Sequence, residues 1–178
     1  MNKKDKIKLL EMAISCLREE GETRPIFSVD VPTKEEIDII KNSLETEDVN
    51  ESLLKKFFPM AYEGVNKYGF FKYFFYVHNK TIRMLERYIK DKGLVEWCTA
   101  YPARVVDKIN SKWIVETIDG RIVKTDSEAY PEIKVEKDFK IGDLVVLHRD
   151  KVHMVLNKKE FEIALDFYNK YLREKDSK

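Results

Sequence analysis

The hydrophobic pattern changes its period near residue 93, and this change limits the folds that are open to the chain. Before residue 93, apolar residues recur three and four positions apart, which is the spacing of amphipathic helices. After it come short β-prone runs: valine occurs five times in residues 1–93 and ten times in residues 94–157. Valine favours strands because its branched side chain packs well on a pleated surface. The sequence therefore predicts an α+β protein, with a helical domain over residues 1–93 and a β-rich domain over residues 94–178.

Capping signals place the helices of the first domain. The first helix carries one apolar stripe, formed by Ile7, Leu10, Ile14 and Leu17. Cys16 adjoins this stripe, and we expect it to be buried as a small hydrophobic residue. Thr33 and Glu36 have the spacing of a capping box, in which a hydroxyl and a carboxylate satisfy free backbone donors. Asn50 can cap a third, short helix that Pro59 ends or kinks.

An aromatic run closes the helical domain. Ten of the 21 aromatic residues fall between Phe57 and Tyr76. A helix through this run is apolar nearly all round, so we expect it in the core or against the second domain. Base stacking is the functional alternative, and it requires exposed rings and nearby cations. The pair His78-Asn79 follows, and a last helix is expected to reach Gly93, as the first is expected to stop at Gly21.

The β-rich region predicts a small barrel. Its five β-prone runs are Trp97–Val106, Lys112–Ile118, Arg121–Thr125, Asp143–His148 and Val152–Leu156. Asp119-Gly120 is a strong two-residue hairpin signal, and a second hairpin is expected to turn at residues 149–151. Five short strands in this length predict an OB-like β-barrel. Asn157 and Glu160, again at capping-box spacing, begin a C-terminal helix.

Charge and composition exclude several classes of protein. The 33 basic and 32 acidic residues leave a net charge of +1, which argues against binding to nucleic acid through bulk charge. No apolar run approaches the ~18 residues of a membrane span, and the N-terminal segment lacks the continuous apolar region of a signal peptide. The two cysteines, Cys16 and Cys98, are too few for a disulfide framework. We therefore expect a cytoplasmic protein with no membrane partner.

Four residues could carry chemistry: Cys98, His78, His148 and His153. Thiolate and imidazole are ligands suited to iron, zinc or copper. Each also has a plain structural interpretation, because Cys98 could be a buried thiol and His148 a hydrogen-bonded residue at a strand end. His153 is the weakest candidate, since its position just after a turn predicts an exposed strand residue. Spacing alone leaves both interpretations open.

The C-terminal half resembles the HypC/HupF family of [NiFe]-hydrogenase maturation chaperones. That family opens with a cysteine, a small residue two positions later and a proline four positions after the cysteine, which match Cys98, Ala100 and Pro102 here. Its second motif is a Gly-Asp-containing strand that ends in histidine, which matches residues 141–148, from Ile141 to His148. The match spans Cys98 to about residue 172.

The resemblance implies an OB-like barrel with a C-terminal helix and a non-enzymatic role. In that family the cysteine, assisted by the histidine, helps to hold an Fe(CN)₂CO unit that is shared with a scaffold protein and passed to the hydrogenase large subunit. Carried over, Cys98 becomes the contact to iron or to the partner, and His148 its neighbour. An imidazole beside a thiolate lowers the pKa of the thiol and favours binding to soft iron.

This chain departs from the family pattern at two positions. Cys98 is internal, whereas the family's cysteine becomes the processed N-terminus, and Asp150 stands where a glycine follows the histidine. The chain is more similar to longer relatives in which a helical region with a His-Asn pair precedes the barrel. His78-Asn79 occupies the corresponding place.

We thus expect an assembly factor for a metalloenzyme, with protein partners. Cys98, His148 and His78 are the predicted metal contacts, and Asn79, Tyr101 and Pro102 the predicted binding residues. One alternative is a nucleic-acid-binding barrel that uses the cations Arg104, Lys112, Arg121 and Lys124. The others are an enzyme with Cys98 as nucleophile and a histidine base, and a protein–protein adaptor with no metal role that uses the aromatic cluster over residues 57–76.

Overall fold

The computed structural model describes residues 1–17, 30–86, 88, 92–110, 112–125 and 138–176. The predicted helix stop at Gly21 lies outside these residues. The helices are α1 (Lys3–Ala13), a 3₁₀ turn (Ile14–Cys16), α2 (Lys34–Thr46), α3 (Glu51–Phe57), α4 (Pro59–Tyr68), α5 (Phe70–Lys72), a π-helical segment (Tyr73–His78), α6 (Asn79–Leu85), α7 (Lys92–Cys98) and α8 (Lys158–Asp176). The strands are β1 (Tyr101–Ile109), β2 (Lys112–Thr117), β3 (Ile122–Thr125), β4 (Leu144–His148) and β5 (Lys151–Val155).

The chain divides into two compact units. Among the described residues, the first unit ends at Phe70 and the second begins at Phe71. This division lies earlier in the chain than residue 93, where the composition changes. The π-helical segment, α6 and α7 therefore belong to the same unit as the strands, and so do His78 and Asn79.

The helix caps of the first unit follow the predicted signals. Thr33 and Glu36 form the capping box: the Glu36 N–H donates to Thr33 Oγ1 (3.3 Å) and the Thr33 N–H donates to Glu36 Oε2 (3.0 Å). Asn50 caps α3 by accepting from the Ser52 N–H at 3.0 Å. Pro59 separates α3 from α4 and stands at the first position of α4, where its missing N–H costs no helical hydrogen bond.

The core of the first unit contains most of the predicted apolar stripe of α1. Leu10, Ile14 and Leu17 are buried. Cys16, in contrast, is only partly buried, so that expectation was wrong. The reason is local: the chain tightens from an α-helix into a 3₁₀ turn at residues 14–16, where the residue spacing of an α-helical stripe no longer applies.

The second unit contains a five-stranded antiparallel sheet in the order β3-β2-β1-β4-β5. The register pairs Ala103 of β1 with Thr117 of β2 and with Val145 of β4. Within the described residues β3 pairs only with β2, and β5 only with β4. A barrel requires its two edge strands to pair with each other, so the sheet is open. The α+β class, the antiparallel sheet and the C-terminal helix are confirmed, whereas a closed barrel is not.

Both predicted hairpins are present. Asp119-Gly120 joins β2 to β3, and Gly120 adopts a left-handed φ of 83°. Arg149 and Asp150 join β4 to β5 with φ values of 54° and 56°. The C-terminal helix α8 begins at the predicted capping box, where Asn157 and Glu160 exchange hydrogen bonds of 3.0 and 3.2 Å.

The predicted strand from Trp97 to Val106 is wrong over its first part. Residues 92–98 form α7, and β1 begins only at Tyr101. The helix is favoured because Val95 and Cys98, three positions apart, share a buried face. Thr99 then satisfies the helix end, since its Oγ1 donates to the Val95 carbonyl at 2.8 Å. Gly93 lies within this helix rather than stopping one.

The aromatic run is buried only in part, since Phe71, Tyr73 and Tyr76 are partly buried. Phe70 is buried in the first unit, and Phe74 and Phe75 are buried in the second. Buried rings are not available for base stacking. No helix in the described part of the chain is long and apolar enough to cross a bilayer.

Candidate functional site

The π-helical segment ends at the predicted His-Asn pair. It runs from Tyr73 to His78, and α6 begins at Asn79. A π-helix widens the turn by one residue, so it changes the direction in which the following side chains leave the helix, and such segments are frequent at functional sites. Here Asn79 is fully buried, with 0% of its surface exposed.

Asn79 binds the backbone of Ala100 at both of its polar groups. Its Nδ2 donates to the Ala100 carbonyl (2.9 Å), and its Oδ1 accepts from the Ala100 N–H (2.8 Å). Only a side-chain amide offers a donor and an acceptor together in this geometry. Asn79 thereby substitutes for a neighbouring strand at the point where α7 has ended and β1 has not begun.

Cys98 lies at the end of α7, on a segment that is held from the opposite side by the β4–β5 turn. The backbone N–H of Arg149 donates to the Trp97 carbonyl at 2.8 Å. The imidazole of His148 donates to the backbone of Cys98. Residues 97, 98 and 100 are thus all anchored through their backbone, and the Cys98 side chain is 7% exposed.

Three histidines form a row beside this segment. The rings of His78 and His148 are 5.5 Å apart between centroids and meet edge to face, with an interplanar angle of 72°. The His148 and His153 rings are 5.8 Å apart. His153 Nε2 also donates to the backbone carbonyl of His148 at 3.0 Å. His148 and His153 are 1% and 2% exposed.

The environment keeps two of these rings neutral at pH 7. His78 is only partly buried. Loss of solvation lowers the pKa of His78 to about 4, and the hydrogen bond to Asn79 opposes this shift only in part. Burial also lowers the pKa of His148 well below 6.5, with further lowering from the charges of His78 and His153. A neutral imidazole that donates through one nitrogen carries its lone pair on the other. His148 therefore has the protonation state of a metal ligand.

His153 is buried, whereas its position just after a turn predicts an exposed strand residue. The register pairs Val146 with Met154 and then Leu147 with Val152, so His153 is the extra residue of a β-bulge in β5. A bulge breaks the alternation of a strand and redirects a side chain. The inward direction of His153 is therefore decided by strand pairing, which the local sequence does not encode.

Tyr101 and Pro102 have structural contacts at the start of β1. The Tyr101 hydroxyl donates to the Glu96 carbonyl at 3.1 Å, and its ring lies 4.3 Å from the Arg121 guanidinium carbon. Burial raises the pKa of Tyr101 to about 12. Pro102 pairs with Val146 in β4. Both residues follow the Asn79-bound Ala100 directly.

Two residues beside Cys98, Arg149 and Trp97, form a contact that the sequence does not predict. The guanidinium carbon of Arg149 lies 3.9 Å from the centre of the Trp97 ring, and Arg149 is only 5% exposed. A charged residue in a hairpin turn is usually exposed, so the turn signal itself pointed away from this contact. The one signal in the sequence is the turn itself, since Arg and Asp stand at two positions where a hairpin favours Asn and Gly.

The donor types of the predicted metal residues suit iron, but the side chains do not form a complete site. One thiol and two neutral imidazoles are acceptable ligands for iron, zinc or copper. Within the described residues, no group of three or more His, Cys, Asp and Glu side chains is arranged to hold a metal ion. The contact that joins His148 to Cys98 involves the backbone of the cysteine.

No family model matches this sequence, and no curated protein or solved structure matches it with statistical significance.

Proposed function

We propose that this protein is a non-enzymatic assembly factor for a metalloenzyme of the [NiFe]-hydrogenase type, in which Cys98, His148 and His78 contact an iron centre or a protein partner. One observation carries the proposal: residues distant in sequence meet around Cys98. The His148 ring binds the Cys98 backbone, and the His78 ring lies 5.5 Å from the His148 ring.

The protonation states support this assignment. Metal binding requires neutral imidazole, and histidines that are already neutral lose no proton when they bind a metal. The hydrogen bond from His148 to the Cys98 backbone also fixes the ring orientation, as hydrogen bonds to ligating histidines do in metal sites. The cargo in this proposal is an Fe(CN)₂CO unit, which the chain carries and does not retain.

The incomplete ligand set defines the role of the partner. Cys98, His148 and His78 supply at most three donors, and the described residues contain no assembled group of that size. In this proposal a scaffold protein or the hydrogenase large subunit provides the remaining ligands. The proposal also includes the OB-like barrel that the resemblance implies, of which the five-stranded antiparallel sheet would be the main part.

The test is an anaerobic pull-down from the source cells, with wild-type protein, Cys98→Ala and the matched control Cys16→Ala. We expect wild type and Cys16→Ala to recover hydrogenase maturation proteins or a large subunit, and Cys98→Ala to lose them. Recovery of the same proteins by all three variants, or of none by wild type, would contradict the proposal.

A second measurement separates iron binding from partner binding. Purified protein is dialysed anaerobically against Fe(II), and bound iron is determined for wild type, Cys98→Ala and Cys16→Ala. Iron that is retained by wild type and Cys16→Ala alone supports a direct contact to the metal. Equal retention by all three variants contradicts a metal role for Cys98.

A further inference from the structure

Arg149 combines two features that are unusual in a hairpin turn. Its guanidinium stacks on Trp97 at 3.9 Å, and its side chain is almost fully buried. Arginine gains a cation–π attraction over an indole, and the attraction is stronger when the pair is shielded from water. Trp97 directly precedes Cys98, so this contact acts on the segment that carries the thiol.

The turn that presents Arg149 is strained. Arg149 and Asp150 both adopt left-handed backbone angles, with φ values of 54° and 56°. Non-glycine residues occupy this region at a cost, because the Cβ atom approaches the backbone carbonyl. In this conformation the backbone N–H of Arg149 also donates a hydrogen bond to the Trp97 carbonyl at 2.8 Å. Such strain persists only where surrounding contacts hold it. The pairing of His148 with Lys151 holds the two-residue turn, and the contacts with Trp97 add to it.

We propose that the contact between Arg149 and Trp97, called the latch below, controls access to Cys98. This inference rests on the proposed function, since a cysteine that is 7% exposed has to be uncovered before it contacts cargo or partner. Release of the latch relaxes the two left-handed residues and frees the Trp97 carbonyl.

The hydrogen bonds between Asn79 and Ala100 limit how far the Cys98 segment moves. Asn79 binds Ala100 independently of the turn, so β1 stays in place while the end of α7 moves. In this proposal the backbone turns at Thr99, which lies between the two anchors. Opening also breaks the hydrogen bond from His148 to the Cys98 backbone, and it leaves the sheet folded.

The test measures how fast iodoacetamide alkylates Cys98 in a Cys16→Ser background, where Cys98 is the only thiol. Arg149→Met removes the cation over the indole, and we expect alkylation about tenfold faster. Arg149→Lys keeps the charge but loses the planar stack, so its alkylation rate is expected to lie between those of the parent protein and Arg149→Met. Arg104→Met, at an exposed arginine of β1, is the matched control and is expected to leave the rate unchanged.

Asp150→Gly is expected to change the alkylation rate of Cys98 in the opposite direction. Glycine adopts the left-handed turn without the Cβ penalty, so the closed state is favoured and alkylation is expected to be about threefold slower. This variant keeps the test decisive if Arg149→Met does not fold. The urea midpoint is measured for each variant, because a latch changes the alkylation rate more than global stability accounts for.

Faster alkylation of Cys98 in Arg149→Met, together with slower alkylation in Asp150→Gly, supports the latch. Equal rates for Arg149→Met and Arg104→Met overturn it, and so does a faster Asp150→Gly. The measurement contains no iron and no partner. A failed pull-down with these alkylation results would therefore reject the assembly role and keep the latch, whereas unchanged alkylation with a successful pull-down would do the reverse.

Discussion

Asn79 shows how a single side chain defines the site at the scale of one residue. It satisfies both backbone groups of Ala100, and both residues are fully buried. A buried backbone group without a partner costs as much as a lost hydrogen bond. The identity of this residue is therefore constrained. Leucine offers neither a donor nor an acceptor, an ionised aspartate offers no donor, and serine offers both on a single oxygen, which cannot occupy the Nδ2 and Oδ1 positions together.

We predict that Asn79→Ala lowers the free energy of unfolding by about 3 kcal/mol, because two buried backbone groups lose their partner. Urea unfolding measures the loss. The matched control is Asn42→Ala at an exposed position of α2, for which we expect less than about 0.5 kcal/mol. A loss for Asn79→Ala no larger than that of the control would contradict the role of Asn79 as a backbone anchor.

At the scale of secondary structure elements, departures from regular geometry position the site. The π-helical segment ends at His78, and the bulge in β5 redirects His153. Regular helices and strands would follow the sequence pattern, whereas these interruptions depend on what each element packs against. The three histidines meet because two elements deviate.

Two glycine-to-alanine substitutions test the β2–β3 turn and helix α7, and they are expected to change the free energy of unfolding in opposite directions. Gly120 has a φ of 83° in the β2–β3 turn, with open space where a Cβ would lie. Gly120→Ala is therefore expected to cost about 1 kcal/mol through backbone strain alone. Gly93 is exposed within α7, and Gly93→Ala is expected to stabilise by up to about 1 kcal/mol.

Thermal or urea unfolding of both variants checks the pair. A stabilising Gly120→Ala would show that the turn is not left-handed. A destabilising Gly93→Ala would argue against a helix at residues 92–98, and hence against the place of Cys98 at a helix end.

At the scale of the whole molecule, the two units differ in the groups that respond to acid. In the second unit, burial lowers the pKa of His78 to about 4, and that of His148 is also lowered. In the first unit, hydrogen bonds from Lys6, Tyr62 and Lys55 lower the pKa of Glu51 to about 2.

Acidification lowers the stability of both units through these groups, but over different pH ranges. A group whose pKa is lowered by folding contributes stability that is lost as pH falls from its ordinary value to its folded value. The histidines thus destabilise the second unit between pH 6.5 and about 4. Glu51 does so for the first unit between pH 4.5 and about 2.

We therefore predict that the second unit loses stability first on acidification. Both tryptophans, Trp97 and Trp113, lie in that unit, so tryptophan fluorescence during urea unfolding reports on it alone. Its midpoint is expected to fall between pH 6.5 and 4.5, while amide exchange in α1–α4 changes little. A fluorescence midpoint that is constant down to pH 4 would contradict this prediction.

The local sequence determined those features whose physical cause is local. The capping boxes at Thr33 and Asn157, the Asp119-Gly120 turn and the change from helices to strands were all predicted, because each depends on neighbouring residues. The candidate residues Cys98, His78 and His148 were also identified from their chemistry. Their identity is a property of the sequence, and no packing is needed to see it.

Only the tertiary structure decided how these residues are arranged. Burial of Val95 and Cys98 on one face made residues 92–98 a helix, strand pairing turned His153 inward, and the contact with Trp97 buried Arg149. Sheet closure likewise depends on how distant strands pair, and the described strands form an open sheet. In each case the deciding energy comes from contacts between residues far apart in the chain, which local propensity and periodicity do not contain.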